Sequence, residues 1–118
     1  MSLTFNTKTY TADSFQANSV GYRGPANTVS VKDLLRLART AAKATATYSG
    51  NSRFEVKLTR THTLTGAVTP TGDSIHTVGS SVPVGISDAD ADAISNDLGA
   101  LVASSDFKAM IKQGKINH

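Results

Sequence analysis

Lysine, arginine and threonine fall repeatedly at alternate positions in KATATYSGNSRFEVKLTRT, residues 43–61, and basic groups with short hydroxyls in rows are the chemistry of phosphate binding. Successive side chains of a β-strand point to opposite faces, so two such runs would line one face with Lys43, Thr45, Arg53, Lys57, Thr59 and Thr61. Arg39 lies just upstream and adds to the same charge. Lysine and arginine neutralise phosphates and make binding salt-dependent. Threonine hydroxyls suit bases and 2′-OH groups of single-stranded RNA. Aromatic platforms for base stacking are scarce here: Tyr48 is the nearest ring, and its parity puts it on the other side.

Other chemistry is less well supported. His62, His76 and Asp73 could meet across a hairpin, but two histidines leave a four-ligand metal site short, no His-x-x-x-His spacing exists, and His118 is terminal. Cross-strand polar pairing accounts for them better. The run DADAD, residues 88–92, starts like a calcium loop, but its sixth position is Ala93 rather than glycine and its twelfth is Gly99 rather than glutamate. Helix capping explains those aspartates. There is no nucleophile elbow and no glycine-rich phosphate loop, so the reading is of a protein that is not an enzyme and carries no metal or cofactor.

Bulk properties narrow the class. A chain of 118 residues suits one domain, 1–118, mainly β over 1–86 and helical over 87–118. Residues 1–86 hold nine Lys/Arg against four acids, whereas residues 87–118 hold three against five, which points to a basic working surface followed by an acidic segment. Cysteine is absent, so disulfide and thiolate chemistry are ruled out. The start MSLTFNTKTYTADSF lacks the basic-then-apolar pattern of a signal peptide, and no apolar run reaches the roughly 20 residues of a membrane span, so a soluble chain with no membrane partner is expected.

The elements that must position the basic row follow from periodicity. LTFNTKTY reads as a strand with Leu3 and Phe5 on one side and Thr4, Asn6 and Lys8 on the other, and SFQANSVGY as its hairpin partner. GPAN, residues 24–27, is a turn. VKDLLRLARTAAKATATY is ambiguous: a helical start near residues 31–37 stays open, while residues 40–48 read as a strand. If SGNS closes the hairpin, Thr47 faces Arg53, Thr45 faces Glu55 and Lys43 faces Lys57, with Ala46, Ala44 and Ala42 against Phe54, Val56 and Leu58. TLTGAVTPTGDS is a turn region, and SIHTVGSSVPVGI forms another strand, with Val82 opposite Val56, Val84 opposite Phe54, and Pro83 marking its end. The period then changes. Ile94, Leu98, Leu101 and Val102 recur at helical spacing after a cap at Ser87 or Asp88. A second helix, capped by Ser105 or Asp106, carries Phe107, Met110 and Ile111 and stops at Gly114. Strands first and helices last make an α+β chain.

The stretches LARTAAKATATYSGNSRFEVKLTRTHTL and SVPVGISDADADAISNDLGALVASSDFKAMI, within residues 30–116, resemble coat proteins of the single-stranded RNA bacteriophages, the leviviruses. The resemblance implies an N-terminal β-hairpin, a five-stranded antiparallel sheet and two C-terminal helices in an intertwined dimer. It further implies that dimers build an icosahedral shell inside the bacterial host cytoplasm and package genomic RNA on the uncovered sheet face. A hairpin of that RNA would be gripped to repress replicase translation. Carried onto this sequence, the family's RNA-binding positions are Lys43, Thr45, Lys57, Thr59 and Thr61, to which the basic-face reading adds Arg39, and the helices would lie over the partner's sheet. The competing reading is a small cellular RNA-binding module that forms no particle.

Overall fold

The computed structural model describes residues 2–47 and 49–117. Tyr48 and His118, both considered above, lie outside the described residues, as does Met1. Two compact units divide the chain at Val84 and Gly85.

The first unit is one antiparallel sheet of six strands in sequence order: β1 (Ser2–Phe5), β2 (Lys8–Gln16), β3 (Ser19–Arg23), β4 (Asp33–Thr40), β5 (Asn51–Thr63) and β6 (Thr71–Pro83). The six strands form one connected sheet rather than a separate hairpin beside a five-stranded sheet, one strand fewer than that expectation counts. LTFNTKTY is not a single strand. It folds back at Asn6 and Thr7, whose φ angles of 50° and 62° make the two-residue turn whose twist suits a hairpin. SFQANSVGY likewise contains its own reversal, since Phe15 pairs with Val20 and Gln16 with Ser19. A bulge between Ala12 and Ser14 shifts the register of β2 against β3.

Residues 41–47 are not a strand, and no helix starts at 31–37. The strand is β4, seven residues upstream of the expected pairing: Arg39, not Ala46, lies opposite Phe54, with Leu37 opposite Val56 and Leu35 opposite Leu58. An odd slip moves every side chain to the other face. The driving force is size. This register puts Leu35 and Leu37 against the apolar side chains of β5, where three alanines would otherwise sit, and each additional buried methylene contributes about 0.8 kcal/mol. Gly50 helps end the excursion, with φ of 86° and its Cα so near Lys43 that a Cβ would stand 2.6 Å from that residue's carbonyl oxygen. The β5–β6 register also differs, with Val56 opposite Val78 and Phe54 opposite Ser80 rather than Val82 and Val84. That slip is even, so each side chain keeps its face. The strand does end at Pro83.

The apolar core of the sheet unit centres on Tyr10, Tyr22 and Leu35, with Phe5, Ala12, Val20, Leu37 and Leu58 packed around them. Phe5 stacks on Tyr10 with ring centroids 4.8 Å apart. Phe54 and Val56, on the same face by register, remain 46% and 39% exposed.

The second unit contains α1 (Asp88–Ala103) and α2 (Ser105–Gln113). Ser87 caps α1, accepting a 3.1 Å hydrogen bond from the Asp90 N–H, and Asp88 and Asp90 stand in the first turn, where carboxylates oppose the positive end of the helix dipole. The cap of α2 is Ser104, not Ser105 or Asp106: its hydroxyl accepts from Phe107 N–H and donates to the Leu101 carbonyl, so one side chain closes α1 and opens α2. Gly114 ends α2 in the left-handed conformation. Neither helix contains a buried residue, and Ile94, Leu98, Leu101, Val102, Met110 and Ile111 are all exposed. No helix among the described residues is long and apolar enough to cross a membrane.

Candidate nucleic-acid interface

The last three strands set out a grid. Across β4, β5 and β6 the register aligns Leu34–Thr59–Ile75, Arg36–Lys57–Thr77, Ala38–Glu55–Gly79 and Thr40–Arg53–Ser81. Alternation places these four rows on one face and Leu35–Leu58–His76, Leu37–Val56–Val78 and Arg39–Phe54–Ser80 on the other. One face is therefore polar and basic, the other largely apolar.

The predicted binding residues divide between these positions. Lys57, Thr59 and Thr61 lie on the polar face, as does Arg53. Arg39 shares the apolar face with Phe54, a consequence of the odd register slip. Lys43 and Thr45 are exposed in the connection between β4 and β5, off the sheet grid. The basic residue that the sequence reading left out is Arg36, directly opposite Lys57. Its signal was present in the alternation of LLRLART, but could be read only once β4 was aligned with β5.

Local partners differ around this face. Arg36 pairs with Glu55 at 3.6 Å, both side chains being about half exposed. Lys32 pairs with Asp73 at 3.2 Å, and the Thr61 hydroxyl donates to Asp73 at 2.8 Å while accepting from Lys32 N–H. The Thr61 hydroxyl, then Lys32, hold the Asp73 carboxyl below its ordinary range. Thr61 is thus engaged at the margin of the face. Arg53 and Lys57 have no ion-pair partner within 4.0 Å among the described residues. Two hollows sit side by side on the polar face and share Arg36. One, about 540 Å³, is bordered by Arg36, Arg53, Glu55 and Gly79; the other, about 320 Å³, by Ser14, Gly21, Arg36, Lys57 and Thr59.

The histidines do not assemble with Asp73. His62 Nε2 lies 2.5 Å from Ser74 Oγ, and register puts both histidines on the face opposite Asp73. No group of three metal-ligating side chains occurs among the described residues.

A buried polar cluster positions the end of this grid. Asp33, 3% exposed, begins β4 opposite Arg60. Tyr10 donates to Asp33 Oδ1 at 2.8 Å, Arg60 Nε donates to the same oxygen at 3.1 Å, and Arg60 donates to the Tyr10 hydroxyl at 2.7 Å. Burial alone would raise the Asp33 carboxyl, but hydrogen bonds from Tyr10, Arg60 and the Ala26 N–H outweigh it and hold it below the usual range. For Tyr10 burial prevails and its hydroxyl is pushed up. The cluster ties β2, β5 and the 24–32 connection to the start of β4.

The chain is thus an antiparallel meander with one basic and one apolar face, followed in sequence by two helices. Solved structures that share this fold include virus-like particles of levi-like viruses and of bacteriophages. The chain superposes on the virus-like particle protein of Beihai levi-like virus 32 with a TM-score of 0.82 at 12% identity, covering 96% of this chain and 91% of that one. For the virus-like particle of bacteriophage AVE019 the TM-score is 0.75 at 17% identity, over 100% and 96% of the two chains. For the bacteriophage EMS014 coat protein it is 0.61 at 18% identity, over 94% and 71%. No family sequence model and no curated protein sequence matches the chain. The fold is thus that of levi-like coat proteins over essentially the whole chain, α+β as the sequence implied, with six strands in the sheet.

Proposed function

We propose that this chain is the coat subunit of a levi-like virus: it dimerises, closes into a shell as a structural and not a catalytic protein, and packages single-stranded RNA against the polar face of β4–β6. The observation that carries this reading is the unfinished apolar surface. Only Tyr10, Tyr22 and Leu35 are buried apolar side chains among the described residues, while Phe54, Val56, Leu98 and Leu101 stay in the open. A core that small is marginal for a single chain, and an exposed apolar area of this kind marks an interaction site. A second copy supplies the missing cover if each chain's helices lie on its partner's apolar sheet face, with the two β6 edges adjoining. The solved particles of the same fold support assembly.

RNA then meets the other face. Arg36, Arg53 and Lys57 neutralise phosphates there, and many copies in a shell multiply a weak contact into retention. The expected location is the virion, assembled in the host cytoplasm. Recognition of one RNA hairpin, with repression of replicase translation, is a finer form of the same reading.

Electron microscopy of the protein expressed alone in bacteria, with nuclease protection and the 260/280 nm absorbance ratio, tests it. Uniform closed shells holding protected RNA are expected. Monomers or dimers that bind RNA and never close would favour the cellular RNA-binding module instead.

A further inference from the structure

Glu55 is out of place on a surface for RNA. It stands at the centre of the polar grid, with Arg36 and Lys57 in the row on one side and Arg53 in the row on the other. A carboxylate there repels phosphate. Its ion pair with Arg36, 3.6 Å between half-exposed groups, is of the weak surface kind. The row it occupies is otherwise cleared: Ala38 on one side and Gly79 on the other. Gly79 is in the interior of β6, where glycine weakens a strand, and nothing lies within 4 Å of the position its Cβ would take. No packing within the chain requires that side chain to be missing. A strand glycine with open space above it suits close approach by a ligand, and it borders an open hollow together with Arg36, Arg53 and Glu55.

Resting on the RNA-facing reading of this surface, we infer that Glu55 and the cleared Ala38–Gly79 row form a guanine-selective subsite for single-stranded RNA. An ionised carboxylate only accepts hydrogen bonds, through two oxygens side by side. Guanine alone among the four bases offers two adjacent donors on its Watson–Crick edge, N1–H and the N2 amino group. Adenine and cytosine set one amino group beside a ring-nitrogen lone pair, and uracil flanks its single N–H with carbonyls. Each of those would turn an acceptor toward the second carboxylate oxygen. Unpaired RNA bases are read on this edge. Arg53 and Lys57, in the flanking rows, take the neighbouring phosphates.

The test uses full-length, RNA-free protein and three nonamers: U9, U4-G-U4 and the same oligomer with inosine, which lacks the N2 amino group. The guanine oligomer should bind about ten-fold tighter than U9, the discrimination typical of one bidentate base contact, with inosine between them. Glu55→Gln should raise affinity for all three and bring the ratio close to one. Gly79→Val should abolish the ratio by filling the hollow, with thermal melting at or above that of the parent chain. Equal binding of all three by the parent chain, with a normal salt dependence, overturns the guanine subsite and leaves the RNA face standing. Preference retained in Glu55→Gln overturns it equally. No salt-dependent binding to any nonamer removes the RNA face itself, and the subsite with it.

Discussion

Tyr10 and Asp33, 23 residues apart, meet in a 2.8 Å hydrogen bond that Arg60 closes into a triangle. The pair joins β2 to the first residue of β4, and Arg60 brings in β5. Every oxygen and nitrogen buried in a side chain among the described residues is satisfied, and this triangle is where most of that burial occurs.

Replacing Asp33 with Asn should therefore destabilise the chain by about 1.5–3 kcal/mol, the range for hydrogen bonds to a charged group. The pH dependence has a definite sign. The folded-state carboxyl is depressed, so its stabilisation is present above the unfolded value of about 4 and is lost as pH falls through the lower folded value. Melting curves between pH 2 and 6 should show a steeper acid loss in the parent chain than in Asp33→Asn. Parallel curves would mean that other carboxylates govern the acid limb.

Gly24 is fitted against the same cluster. A Cβ there would overlap the Asp33 carboxylate and come 2.6 Å from a Tyr10 ring carbon. Gly24→Ala should cost about 1–3 kcal/mol as an overpacked site, read in a urea midpoint. A neutral result would show that the 24–32 connection gives way.

At the β1–β2 turn the sign reverses. Thr7 holds φ at 62°, a region costly for a β-branched residue, and its Oγ1 bonds only to the neighbouring Asn6 carbonyl. Thr7→Gly should raise stability by up to about 1 kcal/mol, visible as a higher melting temperature.

The basic face makes a comparison of four single variants informative. Lys57→Ala and Arg53→Ala should each reduce the slope of log K against log salt for single-stranded RNA by about 0.7. Arg39→Ala should leave it unchanged, because that side chain belongs to the opposite face. Lys43→Ala, in the 41–50 connection, should fall between. An equal effect for Arg39 and Lys57 would count against a single RNA face.

Leu98 tests the cover. It is 41% exposed in the single chain, so truncation there should matter chiefly through a partner. In the assembled form Leu98→Ala should cost about 2–5 kcal/mol, and the melting temperature should depend on protein concentration. A shift that is the same at every concentration would place Leu98 outside the dimer interface.

Local chemistry was legible in the residues themselves. The alternation of Phe54, Val56 and Leu58 against Arg53, Glu55 and Lys57, the stop at Pro83, the cap at Ser87 and the glycine at 114 all follow from side-chain size, backbone freedom and hydrogen-bonding groups near in sequence. So did the α+β class and its helical end. Which residues share the basic face did not. Lys43 and Thr45 alternate as well as any strand, yet Leu35 and Leu37 bury more apolar surface, and that competition is settled only when β3, β4 and β5 pair together. An odd slip then exchanged Arg39 for Arg36 on the polar face. The triangle of Tyr10, Asp33 and Arg60 was equally hidden, because its members are brought together by three strands and no local pattern announces a buried charge that its partners make tolerable. Strand identity is a matter of short-range periodicity. Register is a matter of total buried area, and only the tertiary fold sums it.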